Sequence, residues 1–546
     1  MMKQNKIYIS LAFNYAREIL FFLKGDFNVR IIVRNTSIIL TDYTLGDYPE
    51  LERYFTLYDP MTHSYSAMGM KYDEDKRCLY LPRGMDTRIL KKLTNYQNEL
   101  DIEYNSDPFD RIPEMSIKYM PRDDVQKEAL EFVLGKGQYY QNNNQTQLSL
   151  NLRTGKGKTY VAIAALSYLS VKACIIATNK EWLVQWKNCF IEYTNIDERE
   201  VLIIEGSVGI FKILNGITDV SRYKAFMITH SSLHSFGTKH GWGKITELFI
   251  KLRVYMKVFD EAHLNFTNIA DVDFYTNTKK TLYLTATPAR SDRSENFIYD
   301  IYFKNVPAID LFDEDEDPHT RYNSIRFSSM PTPQEKQKIF NNTYGINRNA
   351  YTNYIVNNKN FYNVMYILMN KILHINGKVL LYIGTNDAIL KVKDWIEENY
   401  PEFRNEVGIF TSFIPMSERK KQLDKQIILT TTKSAGAALD VKGLKASFVV
   451  AEPFKSEVLA IQTLGRTRDP NTDYYDLVDD GFRQLSRFYT SKKPIFRKYA
   501  TQCKEYRLNY QDLSELSDKL KAQREDVKDQ YARKQAFIIY RNIDKK

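Results

Sequence analysis

A short apolar run, LSLNL at residues 148–152, passes directly into Arg153-Thr154-Gly155-Lys156-Gly157-Lys158-Thr159 and then into the helix-favouring stretch YVAIAALSYL. This succession of strand, glycine-rich turn and helix start constrains the fold more than any other part of the chain. Glycines let successive backbone N–H groups close around phosphate oxygens, and the positive end of the following helix favours the anion. The loop therefore reads as a phosphate cradle in which Thr154, Gly155, Lys156, Gly157, Lys158 and Thr159 bind a nucleoside triphosphate. Lys158 is expected to set its ammonium on the β and γ phosphates, and the Thr159 hydroxyl to ligate magnesium. Leu152 occupies the first position of the G-x-x-x-x-G-K-[ST] pattern, with Gly155 as the glycine that follows it. Such loops work at the carboxyl edge of a parallel sheet, so an α/β fold is expected.

Further along, VFDEAH (Val258 to His263) places two adjacent acids at the end of another apolar run. Asp260 is expected to be a magnesium carboxylate, bound to the ion directly or through its outer shell, and Glu261 to orient and polarise the attacking water. Phosphoryl transfer asks for positioning and charge neutralisation more than for covalent chemistry. His263 lacks Cys or His companions at ligand spacing, so it reads as a coupling residue rather than a metal ligand. Thr285 and Thr287, in Thr285-Ala286-Thr287-Pro288, offer hydroxyls that would link this site to motion between lobes. Near the other end of the chain, Gln462-Thr463-Leu464-Gly465-Arg466-Thr467-Arg468 presents two arginines. An arginine brought across a cleft onto a γ-phosphate stabilises transition-state charge and makes hydrolysis depend on closure.

At 546 residues the chain has room for three or so domains. No uninterrupted apolar run reaches the roughly eighteen residues that a bilayer span needs. The basic start of the N-terminus leads into an apolar stretch broken by Arg17 and Glu18 with no small-residue cleavage site, so it reads as part of the fold, a helix over residues 11–24. Cys78, Cys174, Cys189 and Cys503 form no CxxC pair, which is a reduced, cytoplasmic pattern. The formal charge of +10 suits an anionic partner.

Five segments are expected. Residues 1–115 read as a small α+β domain, with a hairpin from NVRIIV and SIILTDY, a helix start at ELERYFTLY, a strand at CLYLPRG and a basic helix at TRILKKLTNYQNEL whose residues 87–97 are a candidate DNA-binding face. Residues 116–307 alternate strands with helices, and most strand candidates (LSLNL, ACIIAT, VLII, AFMIT, VYMKVFD, TLYLTAT) end beside a polar motif. Residues 308–322, with the run Asp313 to Asp317, read as an acidic linker. Residues 323–500 form a second series (KVLLYIG, EVGIF, QIILTTT, ASFVVAE, YYDLVD) without a Gly-Lys phosphate loop. Residues 501–546 read as a helical tail with Leu513, Leu516 and Leu520 on one stripe packed on the second lobe.

Taken in order, these motifs resemble those of superfamily 2, DEAH-box-like helicases. Gln126 in RDDVQKEAL resembles the family's adenine-reading glutamine, LRTGKGKT its motif I, VFDEAH motif II and LTATPAR motif III. IIATNKEWLVQW resembles motif Ia, MITHSSL the Ib/Ic region, KVLLYIGT motif IV, TTKSAGAALDVKGL motif V and QTLGRTR motif VI. The resemblance covers about residues 120–490 and implies two tandem RecA-like domains with parallel sheets, ATP and Mg2+ as cofactors, and catalytic roles for Glu261, Arg466 and Gln462. It implies coupling through His263, Thr285, Thr287 and Asp440, and nucleic-acid contacts at Thr178, Gln185, Thr229, Gly384 and Thr431. Two departures stand out: Asp469 sits where motif VI carries its second arginine, with Arg468 one residue early, and Ala438 replaces the common glycine of motif V. The N-terminal unit and short helical C-terminus most resemble the phage UvsW-type branch-migration helicases. That narrower likeness implies ATP-driven unwinding, annealing or branch migration of DNA junctions and forks in replication, recombination and repair, in the host cytoplasm and away from membranes. An RNA helicase, or the motor ATPase of a restriction or protein–DNA remodelling assembly, is the alternative.

Overall fold

The structure is a computed structural model that describes residues 29–59, 64–103, 105–152, 156–263, 266–285, 293–311, 320–341, 345–411, 413–435, 441–455, 457–464 and 472–543. The helix expected at residues 11–24 lies outside these residues. So do Thr154, Gly155, Thr287, Asp440, Arg466 and Arg468, together with the side chain of Gln462.

Two tandem RecA-like domains, each a seven-stranded parallel sheet with helices on both faces, form the body of the molecule. In the first lobe the strands run in the spatial order Val201–Ile203, Ala225–Thr229, Ala173–Ala177, Met256–Phe259, Lys280–Thr285, Gln147–Leu152 and Ala308–Leu311. The five inner strands are buried on both faces, as crossover helices require. One face packs on the helices Asp124–Leu134, Lys158–Leu169 and Lys180–Tyr193. The other face packs on His230–His240, Trp242–Leu252, Phe266–Tyr275 and Arg293–Phe303.

The N-terminal unit closes over that second face. Its five-stranded sheet contains the expected antiparallel hairpin, Arg30–Val33 with Ser37–Thr41, and the strand Cys78–Pro82. Its apolar side merges with the first-lobe core, with the Tyr80 ring 4.8 Å from that of Tyr275. Polar links fix the register: the Thr146 hydroxyl donates to Asn35 O at 2.7 Å, and Asn35 N donates to Asn277 Oδ1 at 3.0 Å. The backbones meet so closely at Gly84 that a Cβ there would lie 2.1 Å from Tyr302 O. The helix expected to start in ELERYFTLY is present but confined to Pro49–Tyr54, and Thr56–Asp59 pairs with Ser64–Ala67 as a hairpin. The β-favouring Thr56-Leu57-Tyr58 run leaves the helix as soon as a strand partner is present.

The second lobe orders its strands Val407–Phe410, Ile427–Thr430, Lys378–Ile383, Leu444–Ala451, Thr472–Asp479, Thr320–Phe327 and Gln502–Arg507. Here the expected linker and tail are corrected. Ala308–Leu311 is a first-lobe strand beside Gln147–Leu152, and Thr320–Phe327 is a second-lobe strand beside Thr472–Asp479, so both ends of the 308–322 stretch belong to sheets. Gln502–Arg507, expected to be helical, extends the sheet at its edge, where exposed charged residues are tolerated. TRYNSIRF hides its strand character because Ser324 and Tyr322 find buried partners in Tyr489 and Asp476 that adjacent residues do not reveal.

The final helix, Tyr510–Ile543, starts where Asn509 Oδ1 accepts from Asp512 N at 2.8 Å. Leu513 is buried and Leu520 packs on the second-lobe core, whereas Leu516 is exposed. Arg524 pairs with Glu402 at 2.6 Å and holds the helix on that lobe. Across the cleft, Arg419 of the second lobe pairs with Glu181 of the first. Among the described residues no helix is long and apolar enough to cross a membrane.

Candidate nucleotide site

The phosphate loop and the paired acids meet at the carboxyl edge of the first sheet. Gly157 ends the loop with φ +89°, a left-handed conformation that favours glycine, and the helix Lys158–Leu169 begins at the next residue. A Cβ at Gly157 would lie 2.2 Å from Gln126 Nε2, so any other residue there would have to displace that side chain. Gln126 is itself buried at the start of Asp124–Leu134, where Asp123 caps its backbone N–H. Its Oε1 accepts from Arg122 N at 2.9 Å and its Nε2 donates to Lys156 O at 3.3 Å. Thr159, half-buried, is the second residue of the helix.

Lys158 donates from Nζ to Glu261 Oε1 at 3.1 Å, and the two side chains are only 9% and 4% exposed. Glu261 adopts φ +47°, a left-handed conformation that is uncommon and costly for a residue with a side chain, and strain of this kind concentrates at functional sites. His263 Nδ1 lies 2.8 Å from Thr285 Oγ1 and 3.4 Å from Glu261 Oε2. Three of the sequence motifs therefore converge on one buried ion pair.

Asp260 hangs at the end of Met256–Phe259, anchored by its backbone N–H on Ile176 O at 2.9 Å. Its Oδ1 accepts from Glu261 N at 3.1 Å, and its Oδ2 accepts the indole N–H of Trp186 at 2.8 Å. Burial first, and then the Glu261 charge, push its carboxyl up to about 6, while Trp186 and Lys158 pull the other way. A carboxylate and a hydroxyl at Asp260 and Thr159 are hard oxygen donors of the kind Mg2+ takes alongside phosphate oxygens. The residues present therefore fit that ion.

The expected nucleic-acid residues occupy corresponding places in both lobes. Thr178 follows Ala173–Ala177, and Thr229 ends Ala225–Thr229 and caps the next helix through Ser232 N. Gly384 follows Lys378–Ile383, and Thr431 follows Ile427–Thr430 and accepts from Ser434 N at 2.9 Å. Gln185 is exposed on Lys180–Tyr193. The residue that sequence reasoning passed over is Trp186. Its run was singled out as a motif, but 74 positions separate it from the acid it bonds, and no local pattern reports that contact.

Tandem parallel sheets with a buried Lys–Glu pair at the carboxyl edge of the first give the chain a RecA-like architecture suited to binding a nucleoside triphosphate. Residues 119–290 match the family described as type III restriction enzyme, res subunit. The chain is 22% identical over 385 residues to a putative helicase of invertebrate iridescent virus 6, an alignment covering 65% of this chain and 77% of that protein. Among solved structures, Saccharomyces cerevisiae Dbp5 bound to RNA and ADP BeF3 matches with 13% identity, TM-score 0.48 and coverage of 73% of this chain and 92% of that one. UvsW of T4 matches with 15% identity, TM-score 0.34 and coverage of 88% and 99%. At those scores the fold rests on the strand order of the chain itself.

Proposed function

We propose that this chain hydrolyses ATP to move along and remodel DNA, unwinding, annealing or branch-migrating forks and junctions. The observation that carries the reading is the buried Lys158–Glu261 pair with His263 and Thr285 against it. Phosphates of an incoming nucleotide compete with Glu261 for the Lys158 ammonium. As Lys158 turns to them, the Glu261 carboxylate becomes the acceptor for a proton of the attacking water. Thr159 and Asp260 would hold Mg2+, which when bound neutralises phosphate charge. Gln126 reads the base, and Gln462 and Arg466 complete the site from the second lobe. His263 and Thr285, with Thr287 and Asp440, pass the state of the site to the cleft.

Along that cleft Thr178, Gln185, Thr229, Gly384 and Thr431 contact the nucleic-acid backbone. DNA is favoured by the N-terminal unit, whose helix Thr87–Thr94 carries the basic residues Arg88, Lys91 and Lys92. The match to a restriction-enzyme subunit family supports a second reading, the motor of a restriction or protein–DNA remodelling assembly. The deciding experiment compares ATPase stimulation by single-stranded DNA, duplex, fork, four-way junction and RNA, at several salt concentrations because phosphate contacts weaken with salt. Strongest stimulation by branched DNA is expected. Preference for RNA would overturn the DNA assignment, and a rate indifferent to every nucleic acid would favour the second reading.

A further inference from the structure

The Asp260 carboxylate is held from two sides. Its own chain supplies Glu261 N to one oxygen, and a different element supplies the Trp186 indole N–H to the other. Trp186 is 2% exposed and sits in the first-lobe core, with the Phe190 ring 6.5 Å away. A rigid donor wedged in a packed core fixes the carboxylate's rotamer and leaves its remaining lone pairs directed elsewhere.

The helix carrying Trp186, Lys180–Tyr193, is tied at its other end to different partners. Asn179, next to Thr178, caps it through Trp182 N at 3.0 Å. Glu181, in its first turn, pairs with Arg419 of the second lobe. Five residues at helical rise separate Glu181 from Trp186, about 7.5 Å. A displacement of the helix start is therefore transmitted to the indole through little more than one turn of helix.

We infer that Trp186 is a positioning residue for Asp260, and that the helix Lys180–Tyr193 links the inter-lobe contact at Glu181 to the carboxylate that would hold Mg2+. This rests on the proposed ATPase reading. Trp186 touches neither substrate nor reacting atoms; it acts by orienting the acid.

The test uses the full chain with Trp186→Phe, which keeps an aromatic ring and removes the N–H, and Trp182→Phe, a buried control on the same helix. Mn2+ affinity in the presence of ATP is read from the electron paramagnetic resonance signal of free Mn2+, and metal-free nucleotide binding is read with a fluorescent ATP analogue in chelator. Loss of an outer hydrogen bond to a metal ligand weakens metal affinity about 10- to 100-fold. That loss is expected in Trp186→Phe alone, with metal-free nucleotide binding unchanged in both variants. Wild-type Mn2+ affinity in Trp186→Phe, or an equal loss in Trp182→Phe, overturns the inference.

A measurement on the unaltered chain covers the case in which the variant does not fold. With 15N-labelled tryptophan, the Trp186 indole N–H signal, assigned by elimination using Phe replacements of the other tryptophans, is expected to shift on addition of Mg2+ with ATP. An unmoved signal overturns the inference. If the wild-type chain bound neither ATP nor Mn2+, the ATPase reading would fall first, and that outcome is distinct from the others.

Discussion

Lys158 and Glu261 face each other in a nearly water-free site, so deleting either charge alone differs physically from deleting both. At 3.1 Å and an effective dielectric of roughly 20, their attraction is about 5 kcal/mol, most of it offset by the cost of removing both charges from water. Lys158→Met leaves the Glu261 carboxylate buried without its ammonium, and such single deletions cost about 3–5 kcal/mol. His263, 3.4 Å from the other carboxylate oxygen, compensates only in so far as it is protonated. Glu261→Gln strands the ammonium instead, and the double variant removes both buried charges. The double change is therefore expected to cost less than the two single changes together, with a coupling of about 1–3 kcal/mol. The assay is urea unfolding of the nucleotide-free chain, followed by tryptophan fluorescence in a Trp395→Phe background so that the signal comes from the first lobe. Additive losses within error would refute the pair as an energetic unit in the empty site.

Other consequences follow from the same geometry. Glu261→Gln keeps Lys158 for the phosphates, so ATP binding should survive while hydrolysis falls about 100- to 10,000-fold; wild-type turnover in that variant would remove Glu261 from the reaction. Lys257 and Asp273 form a fully buried ion pair, and Tyr283 and Tyr302 also donate to Asp273. Lys257→Met should therefore lower first-lobe stability by about 3–5 kcal/mol, seen as an earlier urea midpoint. In the second lobe, burial pushes Glu452 up to about 7 from its ordinary 4.5, against the hydrogen bonds from Thr432. The folded chain then holds a proton between those values that the unfolded chain has released, so second-lobe stability should fall by about 1–3 kcal/mol as pH rises through that window and level off above it. Glu452→Gln, measured by unfolding at about pH 5 and about pH 8, should flatten the dependence.

Features that neighbouring residues dictate could be read from the sequence. A buried parallel strand favours a mostly apolar run, and a left-handed turn favours glycine. LSLNL, running into the glycine-rich turn that ends at Gly157, shows both over adjacent residues. The alternation of strands and helices, and hence two parallel α/β lobes, was legible for the same reason. Gln502–Arg507 and Thr320–Phe327 were not, because an edge strand rich in charge and a strand with buried polar partners owe their conformation to hydrogen bonds from distant segments.

The site divides in the same way. The residue types at Lys158, Asp260, Glu261 and His263 announce phosphate and metal chemistry from local order alone. Folding decided that Lys158 rests on Glu261, that His263 turns to Thr285, and that the N-terminal unit is fused to the back of the first lobe. It also decided that Trp186 holds Asp260. Hydrogen bonds and ion pairs of this kind act over about 3 Å, and only the packed chain brings residues so far apart in sequence within that reach.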